Sequence, residues 1–569
     1  SNHSNQVSQL LVYTKSKIRL YDMMPILSNL GLFVLDQMTT RLGPLGYIQS
    51  YRVMNQDKQP LDEPVYADVL SDTIHAIMTQ KVRNDRLNQL VLACDCTYYD
   101  VAILRTYCQL YAQIQPLYAT QIHQTLITYP NCTFLLHQYF QAKFMTTKNL
   151  ESLVTLETQF YDAIKPINSV DHDAIFRHLF ALIQHTSRTN AYIKDRPSGL
   201  AIAVKLRSRD ISFMPKPVPW SEIFVQDTYL DGCHIRFGPV SRGGLRWSSR
   251  LTDFRTEVLG LVAAQTLKNV IIVPDGAKGG FVIHGDTSDQ ALVEREYQRF
   301  IAALLDITDN QDESGACIHP KDCILYDNPD PYLVVAADKG TATFSDLANA
   351  VAKDYGFWLD DAFASGGQTG YDHKKEGITA KGAWECVKLH FNSLGINCQT
   401  EPVTVAGIGD MSGDVFGNGM LLSPMIRLQA AFNHHAIFID PNPDLARSYA
   451  ERQRLFIQPR STWFDYKKTE ISPGGGIYER DAKSIALSPE AKQMLRLSPN
   501  RISGIALIQA ILKMPVDLLW FGGIGTYIKA SHEENTQVGD PANDGCRVSA
   551  CDVQARVIGE GANLGITRA

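Results

Sequence analysis

The segment VTVAGIGDMSGDVFGNG, residues 403–419, constrains the fold more strongly than any other stretch of this 569-residue chain. An apolar run leads into Gly407 and Gly409, and the small residue Ser412 stands where a tight turn enters a helix. Glycines at such a turn let the backbone approach a phosphate group closely. The pattern predicts a Rossmann-like strand, turn and helix that bind a dinucleotide.

An acidic residue, Asp440, ends the next apolar stretch, AIFID. A carboxylate there can bind the adenosine ribose hydroxyls and repel a 2′-phosphate, which favours NAD over NADP. Asp440 lies 440 − 409 = 31 residues after Gly409, whereas the usual spacing is about 20. We expect a longer first helix to account for the difference.

Three cations, Arg242, Lys268 and Lys278, flank an apolar helix and an apolar strand in the stretch from residue 242 to residue 280. A single lysine beside a core usually extends its ammonium group to water, or binds the last carbonyls of its helix. Three cations that converge from separate elements indicate an anion site instead. Crowding and burial disfavour their charged forms, which makes Lys278 a candidate general acid or base.

The residues between these cations predict the local structure. Thr252 or Asp253 can cap a helix that ends near Lys268, and its predicted inward face consists of Phe254, Val258, Leu261 and Gln265. NVIIVP, residues 269–274, predicts a buried strand. DGAKGG, residues 275–280, predicts a glycine-rich turn that projects Lys278 from the end of that strand.

A second candidate for proton transfer is Asp338, at the end of the predicted strand in PYLVVAADKGT. An acid in this place often caps the next helix. Ser345 is better placed to cap the helix DLANAVAKDY, so we expect Asp338 to be available for proton transfer beside a lysine.

Composition excludes several functional classes. A formal net charge of -6 offers no basic surface for nucleic acid, and no apolar run reaches the roughly 20 residues of a membrane span. Eleven scattered cysteines include two close pairs, Cys94 with Cys96 and Cys317 with Cys323, and neither pair has a second pair to complete a zinc finger. We therefore expect free thiols, no metal, no nucleic-acid or membrane partner, and a cytoplasmic location.

Changes of pattern along the chain predict a multidomain α/β protein with a helical N-terminal part. Residues 1–66 indicate a small α+β, ACT-like remnant, with MMPILSNLGLFVLD as its helix and GYIQSYRVM as a strand. Residues 67–195 are predicted to be helical, since apolar residues recur at steps of three and four. Residues 196–395 predict an α/β substrate-binding domain, and residues 396–569 predict the Rossmann-like NAD-binding domain.

Seven blocks, in order along the chain, resemble those of glutamate dehydrogenases: RGGLRW, QTLKN, GAKGG, AADKGT, GITAKG, VAGIGDMSG and GEGANLG. Longer blocks, RWSSRLTDFRTEVLGL, GGGIYERDAKSIALSPE and DLLWFGGIGTYIKAS, resemble the large bacterial NAD-dependent members. The resemblance implies oxidative deamination of L-glutamate to 2-oxoglutarate and ammonium, with hydride transfer to NAD in a cleft between two α/β domains. It also implies that the NAD-binding domain, residues 396–569, is truncated at its C-terminal end.

The resemblance also implies a role for each matching position. Lys278 would help water to add to the iminium carbon, and Asp338 would move protons to and from the amino group. Arg242 would bind the side-chain carboxylate, which favours a dicarboxylic substrate. The α-carboxylate pocket would contain Gly243, Gly244, Gln265 and Lys268. The nicotinamide ribose and carboxamide would lie along Thr379, Gly522 and Asn563.

Two alternatives remain open at this stage. The chain could act on another amino acid, or it could be a non-catalytic amino-acid-sensing or assembly fragment built on its N-terminal part. We also expect a homo-oligomer, either a tetramer or a hexamer.

Overall fold

The computed structural model describes residues 7–61, 63–115, 117–145, 150–268, 275–337, 341, 344–365, 373–458, 461–523, 525–538, 540–561, 565–567 and 569. The chain divides into two compact units, Ser1–Gly370 and Tyr371–Ala569. The predicted domain boundaries at residues 66/67, 195/196 and 395/396 stay predictions. The division between the units places the helix Ile378–Ser393 in the second unit.

The first unit begins with a small antiparallel sheet and one helix. Its elements are β1 (Ser8–Thr14), α1 (Leu20–Asn29), β2 (Phe33–Arg41) and β3 (Tyr47–Met54), and the strand order is β1-β3-β2. The predicted helix MMPILSNLGLFVLD is half wrong, because FVLD belongs to β2. Gly31, at a φ of +76° that favours glycine, ends the helix before it reaches Phe33.

A helical region follows the small sheet. Its helices are α2 (Glu63–Met78), α3 (Leu90–Ala93), α4 (Tyr98–Ile114), α5 (Ala119–Thr128), α6 (Pro130–Phe144), α7 (Leu150–Ile164) and α8 (Val170–Gln184). In α7 the side chains of Leu153, Phe160 and Ile164 are buried, and Leu156 packs against the same core. These contacts confirm the apolar periodicity from which the helical region was predicted.

A mixed sheet forms the rest of the first unit. Its strands are β4 (Thr186–Thr189), β5 (Ile202–Leu206), β6 (Ser221–Gln226), β7 (Leu230–Arg236), β8 (Ser241–Trp247), β9 (Asp275–Ile283), β12 (Val335–Ala337) and β13 (Ala364–Ser365), in the order β13-β12-β8-β9-β7-β6-β5-β4. The connections contain α9 (Phe254–Lys268), α10 (Gln290–Leu305), the short hairpin of β10 (Asn310–Gln311) and β11 (Cys317–Ile318), and α11 (Ser345–Asp354).

The buried face of α9 differs from the predicted face at one position, where Val262 takes the place of Leu261. Phe254, Val258 and Val262 are completely buried, whereas Leu261 is only half-buried. The steps from 254 to 258 to 262 follow one helix stripe, and Leu261 lies at its margin. The Gln265 side chain lies outside the described residues.

The second unit is an α/β unit. Its helices are α12 (His373–Glu376), α13 (Ile378–Ser393), α14 (Asp414–Gly419), α15 (Leu445–Ile457), α16 (Pro489–Leu495), α17 (Gly504–Lys513) and α18 (Asn535–Val538). Its strands are β14 (Val403–Ile408), β15 (Ile426–Phe432), β16 (Ala436–Ile439), β17 (Gly476–Glu479), β18 (Ile485–Ala486), β19 (Arg501–Ile502), β20 (Leu518–Phe521), β21 (Ile528–Lys529), β22 (Val548–Ser549) and β23 (Val557–Glu560).

The main sheet of the second unit has the order β17-β16-β15-β14-β20-β23. Strands β15, β14, β20 and β23 are parallel, while β16 runs antiparallel to β15. The chain leaves β14 toward β15 on one side, and β20 lies on the other side. This reversal is the topological switch point at which open α/β sheets bind ligands.

The predicted fold class, a multidomain α/β protein with a helical N-terminal part and a Rossmann-like unit, is confirmed. Within the described ranges, every helix is too short or too polar to cross a membrane.

Candidate active site

Lys278 lies in the middle of β9, next to β7 on one side and β8 on the other. The residue is only 7% exposed. Leu245 of β8 pairs with Gly279, so strand alternation places Lys278 and Gly244 together on the opposite face of the sheet. Arg242, two residues before Gly244, has the same orientation and is exposed. The sheet therefore brings the two predicted cations, Arg242 and Lys278, to one face.

The prediction that DGAKGG forms a turn is wrong, because all six residues belong to strand β9. A Cβ on Gly279 would lie 2.2 Å from Leu245 Cδ2, and a Cβ on Gly280 would lie 2.5 Å from Val258 Cγ2. These glycines thus allow a neighbouring strand side chain and α9 to pack closely against β9, rather than allowing the chain to turn. The preceding stretch, NVIIVP, lies outside the described residues.

Gly243 and Gly244 lie beside β12, where they pair with Val335 and Ala336. Strand β12 ends at Ala337, and Asp338, which follows directly, lies outside the described residues. Thr341 donates a hydrogen bond from Oγ1 to the Leu245 carbonyl, at 2.7 Å. The described residues on both sides of Asp338 are thereby attached to β8.

The expectation that Ser345 caps α11 is also wrong. Ser345 is the first residue of that helix, and its hydroxyl donates to the Ser365 carbonyl at 2.8 Å. Ser345 therefore gives no reason to expect Asp338 to be available for proton transfer, and the role of Asp338 depends on the resemblance alone.

Helix α9 is attached to the sheet by two ion pairs that sequence reasoning missed. Arg255 donates two hydrogen bonds to Glu222 on β6, at 2.7 and 2.6 Å, and both side chains are fully buried. Glu257 accepts from Arg246 at 2.8 Å and from Ser248 at 2.6 Å. These contacts hold the helix that contains Gln265 and Lys268, whose side chains lie outside the described residues. The charged residues Arg255 and Glu257, within the otherwise apolar pattern of α9, are the sequence feature from which these pairs could have been predicted.

The second predicted site is the turn after β14. Gly409 has a φ of +139°, and its amide donates to the Phe432 carbonyl at 2.8 Å. Gly522, after β20, donates to the Ile408 carbonyl at 2.8 Å. A Cβ on Gly407, Gly409 or Gly522 would lie within 2.7 Å of Phe416. The three glycines thus let α14 pack directly against the strand ends at the switch point.

Ser412 belongs to a small network around Asp410, a residue that sequence reasoning missed. Asp410 Oδ1 accepts from the Ser412 hydroxyl at 2.5 Å and from the Ser412 and Gly413 amides at 3.1 Å. Its Oδ2 accepts from Asn433 Nδ2 at 3.0 Å. The network fixes the turn and joins it to the end of β15. The acid that directly follows the glycine pair was the available signal.

A buried indole also supports the turn. Trp463 is fully buried, and its Nε1 donates to the Gly409 carbonyl at 2.9 Å. Its ring stacks on Phe438 at a centroid distance of 4.9 Å and meets the edge of Phe416 at 5.7 Å. The sequence offers no spacing signal for this contact, because Trp463 is 54 residues from Gly409.

Thr379 lies in the first turn of α13, and its Cγ2 is 3.4 Å from the position that a Cβ of Gly561 would occupy. Gly561 directly follows β23, the strand next to β20. Thr379 therefore lies at the same sheet edge as Gly409 and Gly522. Asn563 lies outside the described residues.

The predicted position of Asp440 is wrong. The 31-residue spacing contains an additional strand, β15, and α14 is only six residues long. Because β16 runs antiparallel to β15, Asp440 lies beside Gln429, three residues before Phe432 along β15. It is thus remote from the edge that contains Gly409. Burial raises the pKa of the Asp440 carboxyl, although hydrogen bonds from Ser472 oppose that effect.

Fold and sites together define an α/β protein with a lysine-containing sheet in one unit and a dinucleotide-type switch point in the other. Residues 159–569 match the family model described as bacterial NAD-glutamate dehydrogenase, catalytic domain. Residues 82–146 match glutamate dehydrogenase, helical motif 3. Since the first match covers well over half of the chain, the chain belongs to the bacterial NAD-glutamate dehydrogenase family.

Three curated relatives carry the name NAD-specific glutamate dehydrogenase. The protein from Pseudomonas aeruginosa is 46% identical over 580 residues, which cover 98% of this chain and 36% of that protein. The Mycobacterium tuberculosis protein is 46% identical and the Halomonas elongata protein 44% identical, over 96% and 99% of this chain. The chain spans 36% of the length of each of these relatives.

Proposed function

We propose that this chain contains the catalytic region for the NAD-dependent oxidation of L-glutamate, with water, to 2-oxoglutarate and ammonium. The observation that carries the proposal is the placement of buried Lys278 and exposed Arg242 on one sheet face, in a chain of this family. An exposed guanidinium outside a buried ammonium suits a substrate with two carboxylates. Among the residues of the two sites that the structure describes, none favours another amino acid or a sensing role.

In this proposal the first unit binds glutamate and moves its protons. Arg242 binds the side-chain carboxylate, and the α-carboxylate lies in a pocket formed by Gly243, Gly244, Gln265 and Lys268. Lys278 assists the addition of water to the iminium carbon and stabilises the carbinolamine that results. Asp338 transfers protons to and from the amino group. Burial of Lys278 limits competing water and strengthens these charge interactions.

The second unit fits a dinucleotide, because glycines follow both strands at its switch point. The residues proposed to hold NAD are Thr379, Gly407, Gly409, Ser412, Gly522 and Asn563. NAD supplies the acceptor for the hydride that leaves the substrate Cα. Asp440 does not belong to this set, because it lies beside Gln429, remote from the edge that contains Gly409.

An assay of NADH formation, measured by absorbance with glutamate, with leucine or without an amino acid, tests this proposal. We expect activity with glutamate, and a loss of about 10²- to 10⁴-fold in kcat for Lys278→Ala. NAD binding, measured by calorimetry, should persist in that variant, since Lys278 belongs to the other unit. Arg242→Leu should lower glutamate turnover and spare leucine turnover.

Lys353→Ala is the matched control, because it removes an exposed lysine from α11. Unchanged glutamate turnover in Lys278→Ala would exclude the role proposed for that lysine. Unchanged glutamate preference in Arg242→Leu would exclude side-chain recognition by Arg242. We also propose that the chain forms a homo-oligomer, a tetramer or a hexamer. Light scattering on the protein as it elutes from a size-exclusion column measures its molar mass.

A further inference from the structure

The hairpin between α10 and β12 places three metal-ligating side chains on one face. In its register Asn310 pairs with Ile318, and Gln311 pairs with Cys317. The same antiparallel pairing, extended by one residue, places Asp309 opposite His319. Cys317 and His319 are two residues apart in an extended segment, so they share a face. The fold of the hairpin therefore brings Asp309, Cys317 and His319 together.

The ligating atoms are already close to one another. His319 Nδ1 lies 2.7 Å from Asp309 Oδ1 and 3.8 Å from Cys317 Sγ, and all three atoms lie within 4.8 Å of one another. Ligands of tetrahedral zinc, at Zn–S of about 2.3 Å and Zn–N of about 2.0 Å, are separated by about 3.3–3.6 Å. A small outward rotation of His319 would make room for the ion.

Buried groups fix the orientation of the carboxylate. Asp309 is fully buried, and its Oδ2 accepts from Arg188 Nη2 at 2.8 Å and from the Asp330 amide at 2.5 Å. Asp327 also pairs with Arg188, at 2.6 Å, and so balances the guanidinium charge. Oδ1 of Asp309 is directed toward His319. Hydrogen bonds that orient a ligand in this way raise its affinity for a metal ion.

The outer side of the cluster allows access. The His319 side chain is 50% exposed and Cys317 is half-buried, so an ion and a water molecule can approach. Cys323 is not part of the set, because its Sγ donates to the Thr189 carbonyl at 3.5 Å. A thiolate and an imidazole select zinc over magnesium or calcium. We propose that Asp309, Cys317 and His319 bind Zn²⁺, with water as the fourth ligand.

The direct test is a titration of the reduced chain with Co²⁺, which replaces zinc and shows a thiolate-to-cobalt charge-transfer band when a cysteine ligates it. We expect the band to saturate at one equivalent, and to disappear in Cys317→Ser. It should persist in Cys551→Ser, the matched control, because that cysteine is exposed in the second unit. An equal band in Cys317→Ser, or no band in the unmodified chain, would overturn the proposal.

A second measurement compares Zn²⁺ affinity in competition with a chromophoric chelator. His319→Ala should weaken binding by at least about 10-fold, while Cys323→Ser should leave it unchanged. Zn²⁺ should also raise the Tm of the unmodified chain but not of His319→Ala, because an ion that binds only the folded state stabilises it. Equal affinity in His319→Ala, or a loss in Cys323→Ser that matches the loss in Cys317→Ser, would contradict the assigned ligand set.

Discussion

At the scale of single residues, the geometry of the dinucleotide turn depends on Asp410 within the motif and on Trp463 outside it. Gly409 has a φ of +139°, a backbone conformation that residues other than glycine rarely adopt. Its carbonyl accepts from Trp463, and Asp410 binds the next amides of the turn. The turn is thus held in shape by the protein alone. Such preorganisation lowers the cost of ordering when a ligand binds.

Trp463→Phe is expected to weaken NAD binding by about tenfold, because it leaves the buried Gly409 carbonyl without its donor. The dissociation constant, measured by calorimetry, checks this, and the KM for glutamate should change little. Trp358→Phe is the control: it also removes an indole donor, from the Pro331 carbonyl in the first unit. Equal NAD affinity in Trp463→Phe and the unmodified chain would show that the indole has no positioning role.

At the scale of elements, one ion pair joins two helices of the helical region. Asp100, in the first turn of α4, accepts from the Thr97 amide and hydroxyl and so completes a capping box. Its other oxygen lies 3.0 Å from His137 Nε2, on α6. Burial disfavours the charged imidazolium, but Asp100 and Cys96 outweigh burial and raise the pKa of His137 to about 9.

This pair predicts a pH-dependent stability. Because the folded pKa of His137 exceeds the unfolded value of about 6.5, its contribution is complete below pH 6.5. It is lost as the pH rises through about 9. The free energy of unfolding should fall by about 1–3 kcal/mol over that range. Denaturant titrations at several pH values measure it.

His137→Gln should flatten this dependence, while His75→Gln, which removes an exposed imidazole from α2, should retain it. The difference between these two variants isolates His137 from other groups that titrate in the same range. The same slope in both would mean that His137 is not the group responsible.

At the scale of the whole molecule, each unit has its own apolar core. The residues of the buried apolar clusters in the first unit lie between Met23 and Ala364 in the sequence. Those of the second unit draw theirs from Ala380 to Val557. A segment that buries its own core meets the main requirement for independent folding.

We therefore expect residues 371–569, expressed alone, to unfold cooperatively on heating and to bind NAD with nearly the affinity of the full chain. Circular dichroism and calorimetry provide the measurements, with residues 1–370 as the partner fragment that should fold without binding NAD. An unfolded second fragment would show that its stability needs the first unit.

The sequence by itself determined the apolar pattern of several elements and singled out most of the candidate site residues. Apolar periodicity located α7, an apolar run located β14, and the cations Arg242 and Lys278 indicated an anion site. These features are local, because side-chain direction repeats with the backbone period. The resemblance in turn supplied the family and a role for each site residue.

Only the tertiary structure decided which elements lie next to one another. The glycines around Lys278 indicated a turn, yet they belong to a strand. They are needed there because Leu245 and Val258 pack too close to the backbone for a Cβ. Asp440 is remote from the glycine turn because β16 runs antiparallel to β15. Pairing between distant segments fixed these positions, and the cluster of Asp309, Cys317 and His319 depends on a hairpin register that no spacing rule specifies.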